Sequence, residues 1–319
     1  MISVLKQNWF MVLLLVISIL TVSDASGIVT SPGQWLKHHH APEVIIALVF
    51  FLSGLALNTQ QIRKGIRDIK ATIAALIIIF VAAPLLAVAF AYLPMPPGLI
   101  IGLYLVAVAP STLSSGVVMT GVAGGNMAHA LLTTILANCM AVVTVPFTLG
   151  ILLKYSGTEL GAELDITPVI AQVATLILLP LLAGLITGAR LWRITQRIKP
   201  YSSILCQFGI AAVVWMGLSE GRETIVSNLT VLFPVILLVF CFHIALVTVA
   251  VIMTRLFGLG PGRKESVIFI GGQKTLALSV ILQVSLFPQY GLALIVCIMH
   301  HLIHLIVDSF LLQFFRSDP

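Results

Sequence analysis

Long apolar runs separated by short polar clusters set the pattern of this chain. A helix crossing the hydrocarbon layer of a bilayer needs roughly 20 such residues. Ten runs qualify, at residues 8–24, 41–59, 71–93, 97–123, 127–153, 166–189, 201–219, 228–256, 265–287 and 290–313, and we number them spans 1 to 10. Span 1 is the shortest, with an apolar stretch only from Trp9 to Val22. The basic Lys6 before it and the small residues Ala25-Ser26-Gly27 after it also suit a signal peptide.

Composition narrows this to a class. Of 319 residues, 59% are hydrophobic and 9% charged, against about 25% charged in soluble domains. So few charges could not cover a soluble protein of this size. Ten spans use about 200 residues, which leaves short loops and no room for a soluble domain. An ordinary soluble enzyme, a disordered chain and a nucleic-acid-binding module are excluded. Cys139, Cys206, Cys241 and Cys297 all lie within apolar runs, as small hydrophobes rather than a disulfide framework. The expected class is an all-α polytopic membrane protein whose partners are the lipid bilayer and a small-molecule solute. Its oligomeric state is left open.

The basic residues orient the spans. Lys6, the loop after span 2 (Arg63, Lys64, Arg67, Lys70), the loop after span 6 (Arg190, Arg193, Arg197, Lys199), the loop between spans 8 and 9 (Arg255, Arg263, Lys264) and Arg316 fall on one side. That places 13 basic residues on that side and only Lys37, Lys154 and Arg222 on the other, together with the acidic Glu159, Glu163 and Asp165. Lysine and arginine mark the cytoplasmic side, so both termini are expected in the cytoplasm, at a bacterial inner (plasma) membrane. Five plus five spans permit two inverted repeats, residues 1–153 and 154–319. Gly54-Leu55 and Gly217-Leu218 match at one offset, and interruptions in spans 4 and 9 match at nearly the same one.

Those interruptions carry the candidate chemistry. In span 4, Pro110 removes a backbone donor and disfavours helical backbone at Ala109. Ser111, Thr112, Ser114 and Ser115 follow, then Gly116. In span 9, Gly271-Gly272 precede Gln273, Lys274 and Thr275. Unwound backbone at membrane depth survives only inside protein or beside a water-filled cavity. A lysine at that depth costs roughly 2.5–3.5 kcal/mol on insertion scales, so an anion, a helix C-terminus or a hydroxyl cluster must compensate it. Interrupted helices in corresponding positions of two halves point to a transporter site. The expected ligands are Ser111, Thr112, Ser114, Ser115, Asn126, Thr134, Asn138, Gln273, Lys274 and Thr275. No catalytic residue is assigned.

Span 10 places His300, His304 and Asp308 four residues apart on one helical face, which suits a metal site, a proton relay or interhelical hydrogen bonding. Lys37 to His40 form an outer, solvated cluster. Glu43 and Glu220 either line an access path or are solvated helix ends. His243 stands as a lone polar residue held by the bundle. No nucleotide-binding loop, zincin motif or nucleophile elbow is present, so energy must come from a gradient or from the solute itself.

The run Pro110 to Asn126, with Ser114-Ser115 and Gly124-Gly125-Asn126, and the stretch Gln273-Lys274-Thr275-Leu276 resemble the bile acid:sodium symporter superfamily, in its SBF-like branch. The resemblance covers nearly the whole chain. It implies ten helices in two inverted repeats, with a panel domain of spans 1, 2, 6 and 7 and a core domain of spans 3–5 and 8–10. It also implies that spans 4 and 9 cross at their breaks. Bile acid carriers hold sodium there with a Ser-Asn pair after the span 4 proline, hydroxyls on span 5 and a Glu-x-x-x-Gln pattern on span 9. This chain departs from that pattern. No Asn follows at Ser114-Ser115-Gly116, Ala130 stands in a serine position, and Thr134 keeps a hydroxyl. Gln273 matches the glutamine, but Phe269 occupies the glutamate position and Lys274 an asparagine position. Loss of the only carboxylate and gain of an ammonium shifts the local charge by about two units.

Lys274 could therefore take the electrostatic place of a sodium ion, cycle a proton, or bind an anionic solute directly. The expected function is secondary active transport of a small organic anion by alternating access, with no cofactor and with sodium or a proton as coupling ion. The alternatives are an intramembrane metal-dependent enzyme built on the span 10 histidines and a non-transporting membrane sensor.

Overall fold

The computed structural model describes residues 9–56, 68–112, 115–155 and 166–316. Among these the chain is helical throughout, with no strand. In chain order the helices are α1 (Trp9–Ser23), α2 (Thr30–His38), α3 (Ala41–Ala56), α4 (Ile69–Ala91), α5 (Pro97–Val108), α6 (Ser115–Val122) and α7 (Met127–Tyr155). There follow α8 (residues 166–190), α9 (Trp192–Val226), α10 (Leu232–Leu256), α11 (Lys264–Gly272), α12 (Leu276–Leu286) and α13 (Gly291–Arg316). Among the described residues, seven helices or helix pairs are long and apolar enough to cross a membrane, and α2 with α3, bent by 79°, would add an eighth. α1 and α5 are apolar but shorter.

Each predicted span falls on one helix or one broken pair. Two differences stand out. The outer cluster Lys37 to His40 is not simply a solvated loop: residues 30–38 form α2, and Lys37 lies 3.9 Å from Glu220 on α9. α9 also runs 35 residues, well beyond span 7, because polar residues from Arg193 to Tyr201 continue the helix past the apolar window.

The loop before α2 is ordered by one carboxylate. Asp24 accepts from the backbone N–H of Ser26, Gly27, Val29 and Thr30 and from the hydroxyls of Ser26 and Thr30. The Ser26 hydroxyl and these backbone donors outweigh burial and hold Asp24 well below the usual carboxylate range.

α3 packs on α8 and α9, and α1 on α9, while α13 packs on α5, α10 and α9. The α3–α8 contact is set by glycine. A Cβ on Gly54 would overlap the Leu181 carbonyl oxygen, and one on Gly184 would overlap that of Phe51. Small residues let membrane helices approach this closely. Large apolar side chains such as Ile19, Leu48, Leu85, Phe147 and Ile151 face outward, as lipid contact requires.

α4 and α8 each carry one turn of π-helix, at Ile78–Ala82 and Ala174–Leu178. Each is followed by a proline at the second position of the resumed helix, Pro84 and Pro180. In α4 the Ala83 N–H reaches back to the Ile78 carbonyl. The next bond in that register would run from residue 84 to Ile79, but proline has no N–H. The Ile79 carbonyl is thereby freed at mid-helix.

Candidate functional site

The two breaks meet. α5 ends at Val108, and Ala109 turns extended (ψ 142°) before Pro110, as its place before a proline requires. α11 ends at Gly272, and Gln273 (ψ 146°) and Thr275 (ψ 124°) are extended. The Thr275 N–H donates to the Pro110 carbonyl at 2.8 Å, so the unwound segments pair backbone to backbone. The glycines before the second break are themselves helical. Gly271 admits the side chain of Ile78, 3.0 Å from where a Cβ would stand, and so seats α11 against the π-turn of α4. The unwinding falls on the polar residues that follow.

Lys274 is 1% exposed. Its ammonium donates to the carbonyls of Ile79 (2.8 Å), Ala107 (2.9 Å) and Ala109 (3.0 Å). A neutral amine has only two N–H bonds, so three donor contacts are those of the charged form. Two of the acceptors are carbonyls at the end of α5, where the helix carries partial negative charge. The third is the carbonyl freed by Pro84. A helix C-terminus, together with the π-turn, is what balances the buried charge.

Gln273 links the breaks to the rest of the bundle. Its Oε1 accepts from the hydroxyls of Thr112 and Ser115, both at 2.8 Å, and its Nε2 donates to Asp308 Oδ2 at 2.7 Å and lies 3.0 Å from Met119 Sδ. Asp308 Oδ1 lies 3.1 Å from His243 Nε2. The expectation that the site lacks a carboxylate is therefore corrected. Span 9 has none there, but α13 delivers Asp308 to the same glutamine, so the site holds a carboxylate. His243 is likewise part of this network rather than a lone polar residue. No signal in a linear reading joins positions 243, 273 and 308, because three separate helices bring them together.

The other expected ligands divide into three groups. Ser111 and Asn138 are buried side by side: Asn138 Nδ2 donates to the Thr134 carbonyl at 2.8 Å and reaches the Ser111 carbonyl at 3.4 Å. Asn138 Oδ1 and Ser111 Oγ have no hydrogen-bond partner. Thr134 is buried on the same helix and donates to the Ala130 carbonyl. Asn126 lies apart from this cluster. It is exposed, and its side chain caps the first turn of α7 through the N–H groups of Ala128 and His129. Ser114 lies outside the described residues. Gly124 (φ +78°) supplies the left-handed turn between α6 and α7.

His300 and His304 sit with His243 in a buried group of rings, and His301 adjoins His304. Among the described residues, no set of three His, Cys, Asp or Glu is arranged to hold a metal ion.

At the end of the bundle near the basic loops, Arg263 binds Asp68 through Nε and, at 2.5 Å, through Nη2. His129 there contacts Ser266 (2.8 Å) and Thr72 (3.1 Å), and the Asn126 N–H donates to the Gly262 carbonyl at 2.7 Å. α4, α7 and α11 are thus joined below the crossing.

The family model of the SBF-like CPA transporter family matches residues 8–317. The chain is 28% identical over 287 residues to the Oryza sativa subsp. japonica protein named "Probable sodium/metabolite cotransporter BASS4, chloroplastic", covering 84% of this chain and 67% of that one. It thus spans about two thirds of the length of that plant relative. It is 27% identical to an uncharacterized protein of Pseudomonas aeruginosa (97% and 92% covered) and 23% identical to the sodium/bile acid cotransporter 7-A of Xenopus laevis (98% and 93% covered).

Proposed function

This chain belongs to the SBF-like CPA transporter family, and from that premise we propose that it is a secondary transporter of a small organic anion. Binding takes place at the crossing of the two broken helices, and access alternates between the two faces of the membrane. The carrying observation is the meeting of the breaks, where Thr275 bonds Pro110 and Lys274 bonds the freed carbonyls. Discontinuous helices that meet in this way present helix ends to a solute near the bilayer midplane.

The sign of the solute follows from those ends. α5 finishes at the crossing with carbonyls that Lys274 neutralises, while α6 and α12 begin there with N–H groups at their positive ends. The carbonyl end of α11 also lies at the crossing, and it is the positive starts of α6 and α12 that favour an anionic group on the solute. Because its three donors are occupied, Lys274 acts as a tethered cation, in the electrostatic place of a sodium ion, and does not itself clasp the solute. Ser111 Oγ and Asn138 Oδ1 are buried and unpartnered: the hydroxyl is free to donate to the anionic group of the solute, and the amide oxygen to accept from a hydroxyl of it. Thr112 and Ser115 orient Gln273.

The relatives' names, sodium/metabolite and sodium/bile acid cotransporter, support solute transport as the shared activity. The packing of α1, α3, α8 and α9 on one another supports a panel that moves against the remaining helices, with both termini in the cytoplasm on the charge count. The test is a thermal-shift screen of organic anions with and without sodium across pH, followed by flux of the stabilising anions in proteoliposomes. Flux lost in Asn138→Ala and in Lys274→Met supports the reading. Flux unchanged in Lys274→Met sinks it.

A further inference from the structure

Resting on the transporter reading above, we propose that the His243–Asp308 pair is the proton-binding site of this carrier and that one proton moves together with the organic anion. The pair is fully enclosed: His243 is 0% and Asp308 2% exposed. An ionised carboxylate only accepts hydrogen bonds, so His243 presents its Nε2–H to Asp308. Nδ1 is then left with a lone pair, and that buried nitrogen has no partner. A proton adding there forms one N–H bond and breaks none within the pair. The imidazolium keeps its bond to Asp308, and the pair goes from one negative charge to neutral.

Charge balance makes the proton a companion of the anion. The enclosed charges on the elements of the crossing are the Lys274 ammonium and the Asp308 carboxylate, which sum to zero. Glu265 is matched by its neighbour Lys264, 4.0 Å away at the start of α11. A solute anion entering alone leaves one uncompensated charge in low dielectric, which is strongly unfavourable. An anion and a proton entering together leave none. The Gln273 amide ties the two events, because it bonds Asp308 with one end and the hydroxyls of Thr112 and Ser115, at the α6 side of the break, with the other.

The surrounding rings give the proton a route. The ring centroids of His300 and His304 lie 5.7 and 5.9 Å from that of His243 and 5.5 Å from each other, and His301 lies 4.7 Å from His304. His300 Nε2, His301 Nδ1 and at least one nitrogen of His304 are buried without partners. Polar residues that merely hold helices together make bonds across them, and a buried polar group that makes none destabilises the fold. Interhelical bonding therefore does not account for these rings, whereas proton exchange requires free nitrogens. The other groups facing His243 are few. α13 contributes Asp308, His300 and His304, with His301 against His304, the charge of Lys274 at the break acts on His300, and α4 packs Phe90 on the neighbouring Phe242. The remaining charges on α4 and α11 are Lys70, Lys264 and Glu265, all in first turns.

The first test needs no solute. The full chain, labelled with 15N-histidine and held in lipid nanodiscs, is acidified from pH 8 to pH 5. One imidazole, absent from the spectrum of His243→Gln, is expected to gain a second N–H, and in Asp308→Asn the same ring stays neutral. A His243 ring that keeps one protonation state throughout, or that gains its proton equally in Asp308→Asn, overturns the proposal. If His243→Gln does not fold, the ring is assigned through His243→Asn.

A second arm loads liposomes with a pH-sensitive dye and adds each anion that shifted the melting temperature, without sodium. Lumenal acidification at least tenfold above that of Asp308→Asn supports the proposal. Anion uptake with no proton movement overturns it while the transporter reading stands. If no anion is taken up, the transporter reading fails instead, and the titration result remains interpretable on its own.

Discussion

Lys274 is the residue on which the crossing depends, because three buried carbonyls converge on its ammonium. Lys274→Met keeps the length and removes the charge. It is expected to destabilise the protein by roughly 3–5 kcal/mol, the range for breaking one side of a buried charged contact. Thermal melting in detergent or nanodiscs measures this, and an unchanged melting temperature would contradict the role of Lys274 as a structural cation. Gln273→Glu tests the neighbouring link. A carboxylate in place of the amide would face Asp308 with no proton between them, and like charges in one buried site disfavour double ionisation. Transport is expected to fall at least tenfold in Gln273→Glu, and it should recover in part in the double variant Gln273→Glu, Asp308→Asn, where donor and acceptor are exchanged. Position 274 is legible in the sequence because a lysine so deep in an apolar run has no other simple account. Its partners are not, since backbone carbonyls look alike in a sequence.

At the scale of elements, the π-turn in α4 shows how a proline on another helix shapes the site. Replacing an interior proline by alanine ordinarily restores a helical bond. In Pro84→Ala the new N–H would compete with Lys274 for the Ile79 carbonyl. Transport is expected to drop roughly fivefold, or about 1 kcal/mol, the worth of one hydrogen bond, while helix content stays constant by circular dichroism.

The start of α4 carries a pH-dependent contact. Burial pushes the Asp68 carboxyl up, but hydrogen bonds from the Arg263 side chain and the Ala71 N–H, with the Arg263 charge, carry it below its ordinary 3.8. A depressed carboxyl contributes stability that is fully present above pH 3.8 and is lost as pH falls through its lower folded value. Asp68→Asn is expected to lower stability by about 1 kcal/mol at pH 7, modest because the pair is partly exposed. The gap between variant and wild type should close on acidification, as melting temperatures across pH would report.

At the scale of the whole molecule, glycine contacts of two kinds separate stability from movement. Gly54 and Gly184 seat α3 on α8 at distances no Cβ could share with the opposing carbonyls, within one packed group of helices. Gly54→Ala is expected to destabilise by about 1–3 kcal/mol through overpacking. Gly221 lies against Gly291, 3.1 Å from its would-be Cβ, where α9 of that group meets α13. Gly221→Val is expected to slow transport severalfold with a smaller loss of melting temperature, because it obstructs relative movement rather than the fold of either part. Equal losses of stability in the two variants would argue against two moving groups.

Class and outline follow from the linear order of residues. Hydrophobic run length dictates membrane helices because the bilayer leaves no alternative for unpaired backbone. Pro110 and Lys274 locate the breaks to within a few residues. These are local or one-dimensional signals. Helix packing, by contrast, is what turns Lys274 toward carbonyls rather than a solute and brings Asp308 to Gln273, where position 269 offers no carboxylate. It also joins His243 to that carboxylate. Each of those contacts depends on which helix faces cross and at what depth. That is set among helices far apart in the chain, where no local pattern of residues records it.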